Sequence, residues 1–300
     1  EADEYDRSFL ALKPTIAIIT NLELEHTDCY KDLNDLQNTF IQFCQSIPFY
    51  GQLIICNDSE EVKKIIPKIE RPMTTYGRSR DAAYRAENLR FKGNKSTYSV
   101  FRAEECLGDI KLNVPGEHNV LNSLAAVVLG LEMGLSFHTI QHGILLYNGV
   151  RRRFDIKGLF NDILIADDYA HHPTEVKATL NAARTGWERR IITVFQPHLF
   201  SRTKEFYNEF ANALALSDIV ILTNIYPARE KPIKGVTSYL IYNELIKKMK
   251  KNCILVENLE GLEMILDNLI KPGDLLLTMG AGNIWRYNDS YVNHIKNIHD

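Results

Sequence analysis

Ile163-Leu-Ile-Ala-Asp167-Asp168-Tyr169-Ala170-His171-His172-Pro173-Thr174-Glu175-Val176 is the stretch on which the fold turns. Ile163 to Ala166 is an apolar run of buried-strand length, and it stops in adjacent carboxylates, a tyrosine and a pair of histidines. Pro173 then opens a helical pattern (Val176, Leu180, Ala183), with proline in the first turn and Glu175 near the positive helix N-terminus. In an open α/β sheet, ligands bind at such strand-to-helix turns. A solvated turn with a proline cap would account for any one of these residues. Surface turns prefer Gly, Asn, Asp and Ser, however, so Tyr-Ala-His-His as a group points to chemistry.

Downstream the pattern is regular. Strands are expected at 163–167, 191–195, 218–223, 252–256 and 274–279. They alternate with helices at about 174–185, 203–215, 237–250, 258–270 and 283–290, which is the signature of a doubly wound sheet. The strand ends carry Asp167 to Pro173, Phe195-Gln-Pro-His198-Leu-Phe-Ser-Arg202-Thr203, Thr223 to Lys231, and Met279-Gly-Ala-Gly282. In a parallel sheet all of these lie on one rim, and that convergence is the strongest functional signal in the residues themselves. Gly280-Ala-Gly282 permits close backbone approach, although a lone Gly-x-Gly is weak evidence for nucleotide binding.

Upstream, Asn148-Gly-Val-Arg151-Arg152-Arg153-Phe154 combines a break with arginines suited to anions, and a domain boundary is expected near 150. The chain starts Glu1-Ala-Asp3-Glu4-Tyr-Asp6, followed by a strand at 15–20 and the polar cluster Asn21-Leu-Glu23-Leu-Glu25-His26-Thr-Asp28. Carboxylates with a histidine suit a hard divalent ion such as Mg²⁺, although a charged loop beside a strand has the same composition. A helix at 32–46, a strand at 52–56, a helix at 60–69 and a strand at 73–76 give βαβα patterning and hence a parallel sheet. Residues 82–91, 95–102 and 107–114 alternate as strands of a small antiparallel sheet appended to it. After Pro115-Gly116 a helix is expected from Glu117 to Met133, with Asn119 and Asn122 on one face of its N-terminal end, and then a short helix at 136–147. An Asn amide can read an adenine edge, and a helix N-terminus welcomes phosphate; capping and packing are the plainer roles for the same pair.

The 300 residues are 45% hydrophobic and 24% charged, a globular composition with ample core. A net charge of −3 recommends neither nucleic acid nor an anionic membrane as partner. The five cysteines (Cys29, Cys44, Cys56, Cys106, Cys253) are scattered without a Cys-x-x-Cys pair, as expected of free thiols in a reducing compartment. No apolar run reaches membrane-spanning length and no signal peptide is visible, so a cytoplasmic location is expected.

Taken together, several stretches resemble one family, the Mur ligases. They are Glu1-Ala-Asp-Glu, Thr20-Asn-Leu-Glu-Leu-Glu-His26, Pro115-Gly-Glu-His-Asn-Val-Leu-Asn122, Asn148-Gly-Val-Arg-Arg-Arg-Phe154, Asp167-Asp-Tyr-Ala-His-His-Pro-Thr-Glu175 and Phe195-Gln-Pro-His with Ser201-Arg-Thr203. The resemblance runs in order over nearly the whole chain. It implies that residues 1–149 are the carboxyl part of a central ATP-binding domain and 150–300 a Rossmann-like carboxyl-terminal domain. It further implies Mg²⁺ on Glu1 and His26, the adenine region of ATP at Asn119 and Asn122, and Arg153 and Asp168 closing over ATP. Tyr169, His171, His198 and Arg202 would lie near the amino acid and the muramoyl substrate, with His171, Arg153 and Asp168 carrying the catalysis. The reaction implied is activation of a carboxylate by ATP to an acyl phosphate, attack by an amine, and loss of phosphate.

Within the family, Asp-Asp-Tyr-Ala-His-His-Pro and Phe-Gln-Pro-His point to the member whose substrates are UDP-N-acetylmuramate and L-alanine. Glu-Ala-Asp-Glu-Tyr-Asp is shared with the member that reattaches recycled tripeptide. Leu199 stands where many relatives carry a polar or basic residue. The sequence contains no Gly-Lys dipeptide and therefore no P-loop, which the family carries upstream of the motif at Glu1. An upstream part of the same enzyme is thus expected, and these residues alone are not expected to turn over ATP. A reading from a different class is a non-catalytic module that binds nucleotide or docks on a partner supplying the P-loop. A dinucleotide-dependent oxidoreductase fits the doubly wound pattern but lacks Gly-x-Gly-x-x-Gly after a first strand.

Overall fold

The computed structural model describes residues 2–25, 29–249, 252–257 and 259–299. They divide into two compact units, one of residues 1–90, 96–113 and 117–147, the other of residues 91–95, 114–116 and 148–300. Among the described residues the strands form two six-stranded sheets.

In the first unit β1 (Ile16–Ile19), β2 (Gln52–Cys56) and β3 (Met73–Gly77) are parallel and adjacent. The strands β4 (Tyr84–Lys92), β5 (Lys95–Arg102) and β6 (Glu105–Leu112) follow in order. The antiparallel part is appended within one continuous sheet rather than beside it. β3 and β4 pair in parallel at Tyr76 with Tyr84 and Gly77 with Arg85, and β5 and β6 then run antiparallel.

Helix α1 (Leu33–Gln45) starts where the Asp32 carboxylate accepts from the Asp35 N–H at 2.9 Å, and it buries Leu36 and Phe43 against the sheet. Helix α2 (Glu60–Ile65) is capped by Ser59 and yields to a 3-10 turn at Ile66–Lys68, because Pro67 cannot continue the α-helical ladder. With Ala17, Ile19, Leu53 and Ile55, these helices enclose the core of one sheet face. Helix α3 (Glu117–Glu132) packs on β2 and β3, and α4 (Phe137–Leu145) packs on α3 and β6.

The second unit has the order β11-β10-β9-β12-β8-β7. The strands β8 (Ile163–Asp168), β9 (Arg190–Phe195), β10 (Ile219–Thr223), β11 (Cys253–Val256) and β12 (Asp274–Met279) are mutually parallel. β7 (Asp155–Phe160), which the sequence reading did not anticipate, runs antiparallel to β8 at one edge. β8 and β12 are buried along their whole length, which is why Ile163 to Ala166 and Leu275 to Leu277 read as unbroken apolar runs. Helices α5 (Pro173–Gly186), α6 (Phe200–Leu214) and α7 (Tyr239–Met249) cover one face through Val176, Leu180, Phe210, Leu214, Ile241 and Leu245. Helices α8 (Leu262–Leu269) and α9 (Ile284–His299) cover the other through Leu262, Leu266, Ile284, Tyr291 and Ile295. The doubly wound expectation holds, with β12 inserted between β8 and β9. That crossover puts the carboxyl ends of β8, β12 and β9 side by side, the place where open α/β sheets bind ligands. No helix among the described residues is long and apolar enough to cross a membrane.

Candidate active site

At the end of β8, adjacent carboxylates point into different surroundings because strand side chains alternate. Asp167 is wholly buried. It accepts from the Thr278 hydroxyl at 2.6 Å and pairs with Arg152 Nε at 3.0 Å. Arg152 Nη2 also donates to the Gly280 carbonyl at 2.6 Å, tying the start of this unit to the end of β12. Asp168 is 5% exposed, and its two oxygens accept from the backbone N–H groups of Phe154 and Ala170, each at 2.7 Å. Burial lifts the Asp168 carboxyl to about 6, against those N–H groups and the nearby Arg153. Asp168 therefore fixes two turns at once, the one that carries Arg153 and the one that carries Tyr169 to His171.

Arg153 lies half in solvent, with Nη1 3.2 Å from Glu175 and its guanidinium 5.6 Å from the Tyr169 ring centre. Glu175 accepts from the N–H groups of His171 at 2.9 Å and His172 at 3.2 Å, closing the first turn of α5. Burial pushes the Glu175 carboxyl up, but His171, these N–H groups and Arg153 together bring it below its ordinary value. His171 Nδ1 is 3.0 Å from the Tyr169 carbonyl and 3.2 Å from Glu175, and both are acceptors. In the neutral ring the proton accordingly sits on Nδ1 and the lone pair on Nε2.

The end of β9 supplies the facing wall. His198 lies 5.9 Å from His171 between ring centres and stacks on Tyr226 at 5.8 Å with 11° between the planes. Arg202, one helical turn on and 9% exposed, sets Nη1 3.3 Å from His198 Nδ1. A guanidinium has no acceptor, so Nδ1 is the acceptor and Nε2 carries the proton. Burial first, then Arg202 and His171, lower the His198 imidazole to about 4 against an opposing pull from Glu230. His198 is thus a neutral ring presenting an N–H beside a guanidinium, a donor pair suited to a carboxylate.

Residues outside the candidate catalytic and binding set hold this wall in place. Leu199 occupies the cap position of α6 at φ 71, where side-chain-bearing residues are rarely found, and offers no cap acceptor. Glu230 supplies it from the loop after β10, accepting from Phe200 N–H at 2.6 Å, Ser201 N–H at 3.0 Å and the Ser201 hydroxyl. Gln196 donates to Asn283 at 2.9 Å and accepts from the Ile284 N–H at 3.1 Å, anchoring the start of α9. A Cβ on Gly280 would stand 2.6 Å from the Gln196 carbonyl, and one on Gly282 would stand 2.3 Å from Gln196 Oε1 and 2.7 Å from Tyr226 Cγ. These glycines let the protein's own loops close up.

In the first unit, Asn119 is half-buried and Asn122 exposed in the opening turns of α3. A cleft of about 420 Å³ lies at the carboxyl ends of β1 and β2, bounded by Thr20, Asn21, Glu23, Asp58, Ser59 and Leu121 among others. Asp58 in its wall accepts from the Arg78 and Ser79 N–H groups at 2.7 and 3.0 Å. Glu1 and His26 lie outside the described residues. No group of three or more His, Cys, Asp or Glu that could hold a metal occurs among the described ones.

Two family models match the chain: the Mur ligase middle domain over residues 2–130, and the Mur ligase, glutamate ligase domain over residues 152–282. A UDP-N-acetylmuramate–L-alanine ligase of Geotalea uraniireducens is 43% identical over 99% of this chain and 65% of its own. The crystal structure of a UDP-N-acetylmuramate–alanine ligase from Thermotoga maritima superposes with a TM-score of 0.81 at 26% identity, over 99% of this chain and 63% of its own. A murein peptide ligase from Psychrobacter arcticus shares the fold with a TM-score of 0.65 at 22% identity, over 96% of this chain and 59% of its own. The chain thus spans about 65% of the length of the relative from Geotalea uraniireducens.

Proposed function

Because the chain belongs to the Mur ligase family, we propose that it forms part of an ATP-dependent ligase joining L-alanine to UDP-N-acetylmuramate in peptidoglycan synthesis. In this reading residues 1–149 belong to the central ATP-binding domain and residues 150–300 form the carboxyl-terminal domain. The observation that carries it is the His171–His198–Arg202 group, in which one histidine presents a lone pair and the other a proton beside a guanidinium.

Arg202 and the His198 Nε2–H hold the α-carboxylate of alanine. His171 Nε2 accepts the proton its ammonium must lose before the amine can attack, and Tyr169 lies against His171 as part of the same wall. ATP supplies the phosphoryl group that makes the muramoyl carboxylate an electrophile. Arg153 offers its half-exposed guanidinium to that phosphoryl group, and Asp168 fixes the turn from which Arg153 projects. Asn119 and Asn122 at the start of α3 take the adenine region. Mg²⁺ falls to Glu1 and His26, and the roles of the described residues do not run through it.

The test is phosphate release by the complete gene product with ATP, Mg²⁺ and UDP-N-acetylmuramate. L-Alanine should support it and the recycled tripeptide should not; preference for the tripeptide would sink the alanine assignment. Arg202→Lys should raise KM for L-alanine by about 10- to 100-fold with a smaller change in kcat, the worth of a hydrogen bond to a charged group. The 300-residue chain by itself, lacking Gly-Lys, should release no phosphate.

A further inference from the structure

Between two exposed arginines, Arg152 turns inward. Its guanidinium is fixed on two neighbouring strands at once, with Nε donating to Asp167 at 3.0 Å and Nη2 to the Gly280 carbonyl at 2.6 Å. Asp167 is wholly buried and is itself held by the Thr278 hydroxyl at 2.6 Å, so the flat cation has no freedom to swing. In that position it lies over two rings, 4.8 Å from the centre of Tyr169 and 5.9 Å from that of Trp285. Arg152 meets Tyr169 through the main chain as well, its carbonyl accepting from the Tyr169 N–H at 2.6 Å. One residue thus sets both the backbone and the ring of Tyr169.

The ring needs such a platform. Tyr169 is 36% exposed, and its other close ring contacts are Arg153 at 5.6 Å, itself half in solvent, and the edge of His171 at 5.2 Å. A tyrosine at the surface samples several rotamers, and ordering it when a ligand arrives costs affinity. A cation anchored at its far end removes that cost in advance, by holding the ring before the ligand comes. The contacts run from the buried Asp167 through Arg152 and Tyr169 to His171, the histidine that takes the ammonium proton. We propose that Arg152 is a positioning residue for the amino-acid pocket, acting through the Tyr169 ring; this rests on the alanine-ligase reading given above. Because the ring meets the amino acid alike before and during the reaction, the role belongs to KM for L-alanine rather than to kcat.

Arg152→Lys in the complete gene product is the test. The ammonium keeps a positive charge beside Asp167 and leaves the backbone bond to Tyr169 in place, but it has no flat face to lay over the ring. Phosphate release at saturating ATP and UDP-N-acetylmuramate should show KM for L-alanine raised about 3- to 10-fold, with kcat and KM for ATP within about twofold of the parent. In a Tyr169→Leu background the same change should have almost no further effect on KM for L-alanine, since the group it acts through is gone. Should Arg152→Lys fail to fold by circular dichroism, Arg152→Gln with Asp167→Asn removes the charge pair as a unit and should give the same two results. A folded variant with an unchanged KM for L-alanine overturns the proposal. So does a rise that persists in full beside Tyr169→Leu, which is what a general loosening of the fold would give. A raised KM for ATP with that for L-alanine unchanged overturns it too, by placing Arg152 with Arg153 at the nucleotide. Arg202→Lys separates the two layers: if it leaves KM for L-alanine untouched, the alanine reading and the role of Arg152 fall together. If Arg202→Lys raises it while Arg152→Lys does not, only the role of Arg152 falls.

Discussion

His198 gives the sharpest physical test of the candidate site, because its neutrality leaves a mark on stability whether or not substrate is present. The imidazole is lowered from 6.5 to about 4, by burial first and then by Arg202 and His171. Between those values the unfolded chain binds a proton that the folded one refuses, so stability falls as pH falls. From about pH 7 to about pH 5 the loss due to this one group works out at about 2 kcal/mol. At roughly 2–4 °C per kcal/mol for domains of this size, that is several degrees in Tm. His198→Asn is the informative change. Asn keeps an acceptor for Arg202 Nη1 where Nδ1 stands, but it does not titrate. Stacking on Tyr226 is weakened, which costs the same at every pH. Urea unfolding followed at both pH values should therefore show a steeper acid loss in the parent than in the variant, by about 2 kcal/mol. Asp168, raised to about 6, titrates in the same window with the opposite sign, but it is present in both proteins and cancels. Parallel pH dependences in parent and variant would refute the picture of His198 as a half-buried neutral ring held by Arg202.

Two further changes probe what holds the rim together. Asp168→Asn puts an NH₂ against one of the two backbone N–H donors, so it should cost about 1–3 kcal/mol in urea unfolding despite its near-identical shape. Gly282→Ala should cost a similar 1–3 kcal/mol, because its Cβ would press on Gln196 Oε1 and Tyr226, and a fully stable Gly282→Ala protein would show that the loop simply shifts aside.

Much of the second unit was legible because its central strands are buried on both faces. Ile163 to Ala166 and Leu275 to Leu277 are unbroken apolar runs for that reason. β7 was not legible. Asp155-Ile-Lys-Gly-Leu-Phe160 is an edge strand in which Lys157 pairs with Asp155 and Asp289, and its register shifts between Ile156 and Gly158. Alternation is lost where an irregularity inserts a residue. The 3-10 segment Tyr5–Ala11 was hidden similarly, since it depends on left-handed backbone at Asp6 and Arg7 that no local pattern announces.

Within the site, sequence separates residue types well and partners poorly. Arg151-Arg152-Arg153 read as one anion-binding run, yet Arg152 turns inward to Asp167 and Gly280 while Arg153 stays half in solvent. Left-handed φ at Arg152 and Phe154 accompanies that split, and Asp168 holds it from a strand the run does not adjoin in sequence. Glu230 is a different case, because a signal for it did exist. The turn before Phe200 has leucine where a helix start wants Ser, Thr, Asp or Asn, so its N–H groups had to be met from elsewhere. An uncapped helix start beside the candidate site is an instruction to look for a carboxylate on another loop, and the loop after β10 carries it thirty residues on. Gly280 and Gly282 carry the opposite lesson. A glycine pair at a strand end has room for a phosphate or for a neighbouring loop, and here Gln196 and Tyr226 already fill that room.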